Sequence, residues 1–148
     1  MMNSKSAASI ANLDSDLRSF PIRLAVQGED GFPHIISLWF QYRDGSFYSV
    51  THESAWVLRQ LEVNNQVGFE IASNTPPYKG VRGVGHISVS PLEDDLLEDL
   101  IDNYLGTQQS DLARWLLSRK DDEMVIRIKP NNVSHWDYSE RMEGAANA

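Results

Sequence analysis

Few side chains in this chain of 148 residues could bind or activate a small molecule. They are four histidines (His34, His52, His86, His135), the hydroxyls of Thr51 and Ser54, the cations Lys79 and Arg82 in the run PYKGVRG, and tryptophans such as Trp39, Trp56 and Trp136. No histidines share the HxH or HxxxH spacing of a short-range metal pair, so a metal centre has no support. Serine-nucleophile, Walker and HExxH motifs are absent, and Gly80-Val81-Arg82-Gly83-Val84-Gly85 lacks dinucleotide-fingerprint spacing and leads into a strand. With no cysteine, thiolate nucleophiles, thiolate metal sites and disulfides are excluded, and redox chemistry would need a cofactor.

Charge removes further classes. A net charge of -8 gives no clustered Lys and Arg for nucleic-acid phosphates. Much of the acid sits in one run, Glu93, Asp94, Asp95, Glu98, Asp99 and Asp102, expected to form the solvated face of a helix. The N-terminal residues hold no apolar run of signal-peptide or membrane-span length, so the expectation is a single-domain cytoplasmic protein without membrane partners.

The elements that must position these residues are mostly strands. PIRLAVQ and FPHIISLWFQ flank Gly28-Glu29-Asp30-Gly31, and SFYSV follows Arg43-Asp44-Gly45, which predicts an antiparallel meander. The run from His34 to Phe40 is apolar on both faces, as expected of a strand covered on both sides by core and by a helix, ligand or second subunit. Thr51 or Ser54 is expected to cap a helix carrying Val57, Leu58 and Leu61. Gly83 and Gly85 fall on one face of a later strand, where either a bulge or a close-lying ligand would require them. Ser90-Pro91-Leu92-Glu93 reads as a capping box opening a helix that Gly106 ends. A second helix spans about Ser110 to Arg119, a last stretch of sheet follows, residues 6 to 19 form a short helix, and residues 139 to 148 form a flexible tail.

The patterns FPHIISLWFQYRDGSFY and PPYKGVRGVG, in this order of elements, resemble the FMN-binding split β-barrels related to pyridoxamine 5'-phosphate oxidase. The resemblance covers about Pro21 to Tyr138. It implies a mainly β fold, an antiparallel Greek-key-like barrel with flanking helices, and a homodimer that builds its cofactor site from both subunits. It also implies FMN, with a deazaflavin or haem as the alternatives, and an oxidoreductase acting on a small molecule. A non-catalytic flavin or haem binder is the other reading. The basic and histidine-containing C-terminal motif of the oxidase itself is absent, so pyridoxamine phosphate is not the expected substrate.

FMN asks for positive charge and amides at its phosphate, a flat apolar slot for its ring, and donors along the ring's polar edge. The slot is expected along Ile36, Ser37, Leu38 and Trp39 and over Ser49 and Val50; the phosphate end is expected at Thr51 and Ser54. Similar proteins carry basic residues just after the serine aligned with Ser54, where this chain has Ala55 and Trp56, and Glu53 adds negative charge. Lys79, Gly80 and Arg82 are the candidates to compensate, and His34 aligns with a phosphate-contacting arginine. Each has a plainer role open to it: Lys79 in solvent, Arg82 in a salt bridge, His34 at a strand end, Trp56 in the core. Trp136 matches the aromatic that reaches the partner subunit's flavin in similar proteins, or else is a core residue.

Overall fold

The computed structural model describes residues 15–141. Most of the expected N-terminal helix and residues 142–148 of the tail lie outside them, and Ser15–Ser19 forms a 3-10 turn. Seven strands follow: β1 (Ile22–Gln27), β2 (Pro33–Leu38), β3 (Gln41–Arg43), β4 (Ser46–His52), β5 (Gln66–Ala72), β6 (Lys79–Pro91) and β7 (Glu123–Asp137). Helix α1 (Trp56–Val63) lies between β4 and β5; α2 (Leu96–Leu105) and α3 (Asp111–Ser118) lie between β6 and β7. The strands form one antiparallel sheet in the order β2-β1-β5-β6-β7-β4-β3.

The meander prediction needs correction at its centre. β1 and β2 form the expected hairpin, with Gly31 at φ 85°, and β3 and β4 form the second around Asp44 (φ 49°) and Gly45 (φ 81°). The long apolar run does not bridge them as one strand. It breaks at Trp39 and Phe40, so β2 never pairs with β4, which pairs instead with β7. That break is the split in the barrel.

Around it the sheet curls over one core. Ile22, Leu24 and Val26 of β1, Phe47 of β4, Phe69 and Ile71 of β5, and Ile126 and Ile128 of β7 are buried together, with Val57 and Leu61 of α1 closing the end. A second apolar layer covers the opposite face of β4 and β7, where Val50 and Val125 meet Leu96, Leu97, Leu100 and Ile101 of α2 and Ala113 of α3.

Two expected caps are overturned. Ser90 and Pro91 extend β6, paired with Val125 and Met124, and α2 begins only at Leu96, whose amide donates to the Asp94 carboxylate at 3.0 Å. Pairing of Ser90 and Pro91 with β7 overrides the helix-start motif. Thr51 belongs to β4, and α1 has Ala55 at its N-cap with no side-chain acceptor. Gly106 at φ 73° does end α2, and the Ser110 hydroxyl accepts from the Ala113 amide to start α3.

The acidic run is only partly solvated. Asp94 pairs with Arg43 at 3.0 Å and Glu98 with Lys120 at 2.8 Å, which ties α2 to β3 and to the turn before β7. Among the described residues no helix is long and apolar enough to cross a membrane.

Candidate functional site at the split of the barrel

Strand alternation divides the predicted slot. Ile36 packs against the barrel core, and Ser49 is fully buried with its hydroxyl unpartnered. Ser37, Trp39 and Val50 face the helical layer, and Leu38 reaches both. On the helical side, Ser37, Leu38, Trp39 and Val50 line a cavity of about 280 Å³, roofed by leucines of α2 and α3 and bounded by Glu123. β2 and β4, which share no ladder, therefore meet across one space.

Trp39 is fixed by stacking on Tyr104 of α2, with centroids 5.1 Å apart and planes 5° apart. The Tyr104 hydroxyl accepts from the Phe40 amide at 3.1 Å and donates to the Phe20 carbonyl at 3.0 Å, so it satisfies backbone groups exposed by the break after β2. Burial raises its phenol above the ordinary value despite the Phe40 hydrogen bond.

The predicted phosphate end forms a neighbouring corner. His52 closes β4, and its Nδ1 accepts from the Ser54 amide at 3.1 Å and from the Ser54 hydroxyl at 2.7 Å. This bend delivers the chain into α1. Trp56, at the start of α1, lies edge-on to His34 of β2 with centroids 4.8 Å apart, and His34 Nε2 sits 3.0 Å from both carboxylate oxygens of Asp30. The His34 hydrogen bond and the Phe32 amide hold the Asp30 carboxyl below its usual range. With Asp30 ionised and Glu53 close in sequence, this corner of one chain presents more negative than positive charge. The slot fits a small ring; the corner does not by itself fit a phosphate.

Lys79, Gly80, Arg82 and Trp136 assemble elsewhere. Lys79 pairs in register with Asp137 and His52 with Glu123, at opposite ends of β7, so Lys79 is remote from the phosphate corner, while Arg82 shares a register row with Glu70, Arg23 and Ser37 of the slot. The Arg82 guanidinium lies over the Trp136 ring at 4.6 Å and pairs with Glu70 at 3.3 Å. Trp136 is half-buried beside Tyr138, its indole nitrogen buried and unpartnered. The glycines of β6 have a protein partner: side chains at Gly80 and Gly83 would collide with the carbonyls of Ile71 and Asn132, and the register shifts between Val84 and Gly85. Among the described residues no three acids or histidines gather as a metal site. Sequence reasoning missed Glu123, Tyr104 and Asp30; an acid opening a strand and a tyrosine in an apolar stripe look ordinary in one dimension.

No family model and no curated protein matches the sequence. Solved structures do. The conserved hypothetical protein Rv2991 from Mycobacterium tuberculosis is similar with a TM-score of 0.71 at 20% identity, over 96% of this chain and 92% of that one. An F420 reductase is similar with a TM-score of 0.65 at 19% identity, over 90% and 98%. HutZ, the haem storage protein from Vibrio cholerae, is similar with a TM-score of 0.60 at 19% identity, over 82% and 89%. The fold is the split β-barrel. Pyridoxamine 5'-phosphate oxidase-like proteins share it, as the sequence patterns imply. In this split barrel the two groups of predicted site residues occupy the seam and the outer face of β6 and β7.

Proposed function

We propose that this chain is a flavin-dependent oxidoreductase of the split-barrel type, acting as a homodimer on a small organic molecule. The observation that carries the reading is the meeting of β2 and β4 at the seam, where Ser37, Leu38, Trp39 and Val50 line one cavity beside the corner of His34, Ser54 and Trp56. FMN is the cofactor proposed, with deazaflavin, as in the F420 reductase that shares the fold, as its variant. A bound flavin would supply the hydride or electron transfer, while the chain holds and orients it. Trp39, clamped by Tyr104, would set the slot's width, and Ser37 and Ser54 would offer polar contacts.

The missing positive charge is the reason to place a second copy in the site. The outer face of β1, β2, β5 and β6 carries a register row of Ile35, Ala25, Gly68 and Val84, in which Ile35 is 67% and Val84 54% exposed. Arg82 and Trp136 flank this row. Two copies joined through this face would cover β2 on its open side and bring Lys79, Arg82 and Trp136 of one toward the seam of the other.

A non-catalytic binder of flavin or haem is the second reading, favoured by the Trp56–His34–Asp30 contact that fills the corner where similar proteins are basic. Turnover separates the two. With added FMN and a quinone acceptor, the wild-type protein should oxidise reduced nicotinamide or reduced deazaflavin above the free-flavin background, and Arg82→Ala should lose most of that rate. Tight flavin binding without turnover would assign the protein to the binders.

A further inference from the structure

The glycines of β6 answer to a neighbouring backbone: a side chain at Gly80, Gly83 or Gly85 would collide with the carbonyl of Ile71, Asn132 or Lys129. Gly68 of β5 does not. A Cβ there would meet the Ala25 side chain at 3.6 Å and the Gly83 carbonyl at 3.8 Å, which is ordinary contact, and no positive φ requires glycine at this position. A strand glycine that the fold does not need gives up stability, and such a position marks a close approach from outside the chain. On the outer face of the sheet, Gly68 and Ala25 form the middle of the row Ile35–Ala25–Gly68–Val84, so two small residues lie between two large exposed ones. The row is therefore a trough, three strand spacings or about 14 Å from Ile35 to Val84. Two adjoining cavities, of about 740 and 510 Å³, share Ala25, Gly68 and Val84 in their walls.

The two ends of this trough differ in charge. Along one end runs the register row Ser37–Arg23–Glu70–Arg82. Glu70 stands between two arginines and pairs with Arg82 at 3.3 Å, while Arg23 turns the other way and its guanidinium donates to the Ser37 hydroxyl. Among the described residues Arg23 has no ion pair, and one neutral acceptor leaves most of its N–H donors available. The other end is neutral: the Gln27 amide donates to the Gly31 carbonyl at 2.8 Å, and His86 Nδ1 lies 2.6 Å from Asn131 Oδ1.

From this we infer that the trough is a binding site for a small flat aromatic monocarboxylate, its ring on Ala25 and Gly68 and its carboxylate on Arg23. The planar guanidinium fork matches a carboxylate, and Ser37 holds it in place. Two guanidiniums and one carboxylate leave a single positive charge at that end, which suits a monoanion and disfavours a phosphate dianion beside Glu70. The trough shares no lining residue with the seam cavity, yet Ser37, the partner of Arg23, lines that cavity, so a molecule in the trough lies beside the proposed flavin slot. A flat carboxylic acid is thus the substrate class of the oxidoreductase proposed above, a role that rests on that reading, whereas the binding itself needs no flavin. A second copy seated on Ile35 and Val84 would roof the trough.

The test uses 2-naphthoate and 2-naphthamide, which match in shape and differ in charge, titrated calorimetrically at neutral pH into the full-length protein without cofactor. Naphthoate should bind about ten-fold more tightly than naphthamide, the size of a charge-assisted hydrogen bond. Arg23→Gln should erase that preference while naphthamide binding persists. Gly68→Val places a good strand former in the trough, so it should keep or raise the melting temperature and abolish binding of both compounds. Equal binding of the two compounds to the wild type, binding of neither, or a preference retained in Arg23→Gln would overturn the inference. A folded Gly68→Val that still binds naphthoate would overturn it as well, and if that variant does not fold the Arg23→Gln comparison decides alone. Flavin titration is read separately: a protein that takes naphthoate through Arg23 but ignores FMN would lose the oxidoreductase reading and keep this site, and the opposite result would do the reverse.

Discussion

Glu123 is where burial and charge are most opposed. Desolvation pushes its carboxyl above the usual carboxylate range, Arg119 and His52 pull it down, and Asp122 adds to the push. A folded-state value above the unfolded one means that the native chain holds the proton more tightly. The stability gained is complete below about pH 4.3 and is lost as pH rises through the folded value. Asp94 behaves oppositely: the Leu96 amide and then Arg43 lower its carboxyl, so its contribution is present above the usual carboxylate range and is lost as pH falls through its folded value. Thermal melts of wild type and Glu123→Gln between about pH 4 and pH 7 isolate the first effect, because Asp94 is common to both. The wild type should lose stability relative to the variant as pH rises; a relative gain would mean that Glu123 is ionised and held by Arg119. Nothing in the sequence marked this residue, since Asp121, Asp122 and Glu123 are equivalent until the strand register turns one of them inward.

At the scale of elements, β6 and β7 make the longest pairing in the sheet, and their closeness is set by glycine. A side chain on Gly83 would strike the Asn132 carbonyl and approach Phe69 Cζ to 2.8 Å, so Gly83→Ala forces two backbones apart. The expected loss is about 1–3 kcal/mol, read as a lower denaturant midpoint with unchanged m-value. An unchanged midpoint would show that the strands have slack to give. Paired glycines in the sequence announced a close approach, but only the register identified the neighbour as β7. The start of α2 was misleading for a related reason. Ser90-Pro91-Leu92-Glu93 has helix-start chemistry, yet the same backbone completes a ladder with Val125 and Met124, and local propensity yields to tertiary pairing. Strand periodicity and turn residues were legible because one face of the sheet is buried throughout. The break between β2 and β3 was not, since an apolar run is compatible with a continuous strand or with one that bends to satisfy Tyr104.

At the scale of the whole molecule, the sequence located the seam residues but not their sidedness, and it grouped Lys79 with a corner that the length of β7 separates from it. One chain thus holds a ring slot without phosphate charge at one place and cations beside an aromatic at another, and dimerisation is the proposed remedy. Replacing Ile35 and Val84 together with lysine should convert a dimer to a monomer in sedimentation and weaken flavin binding in parallel; a monomeric wild type would remove that remedy. A flavin held at the seam is detected by titrating the purified full-length protein with FMN while following visible absorbance and flavin fluorescence. The prediction is saturable quenching with micromolar affinity and one flavin per chain. A colourless protein that leaves FMN fluorescence unchanged at every concentration would contradict it.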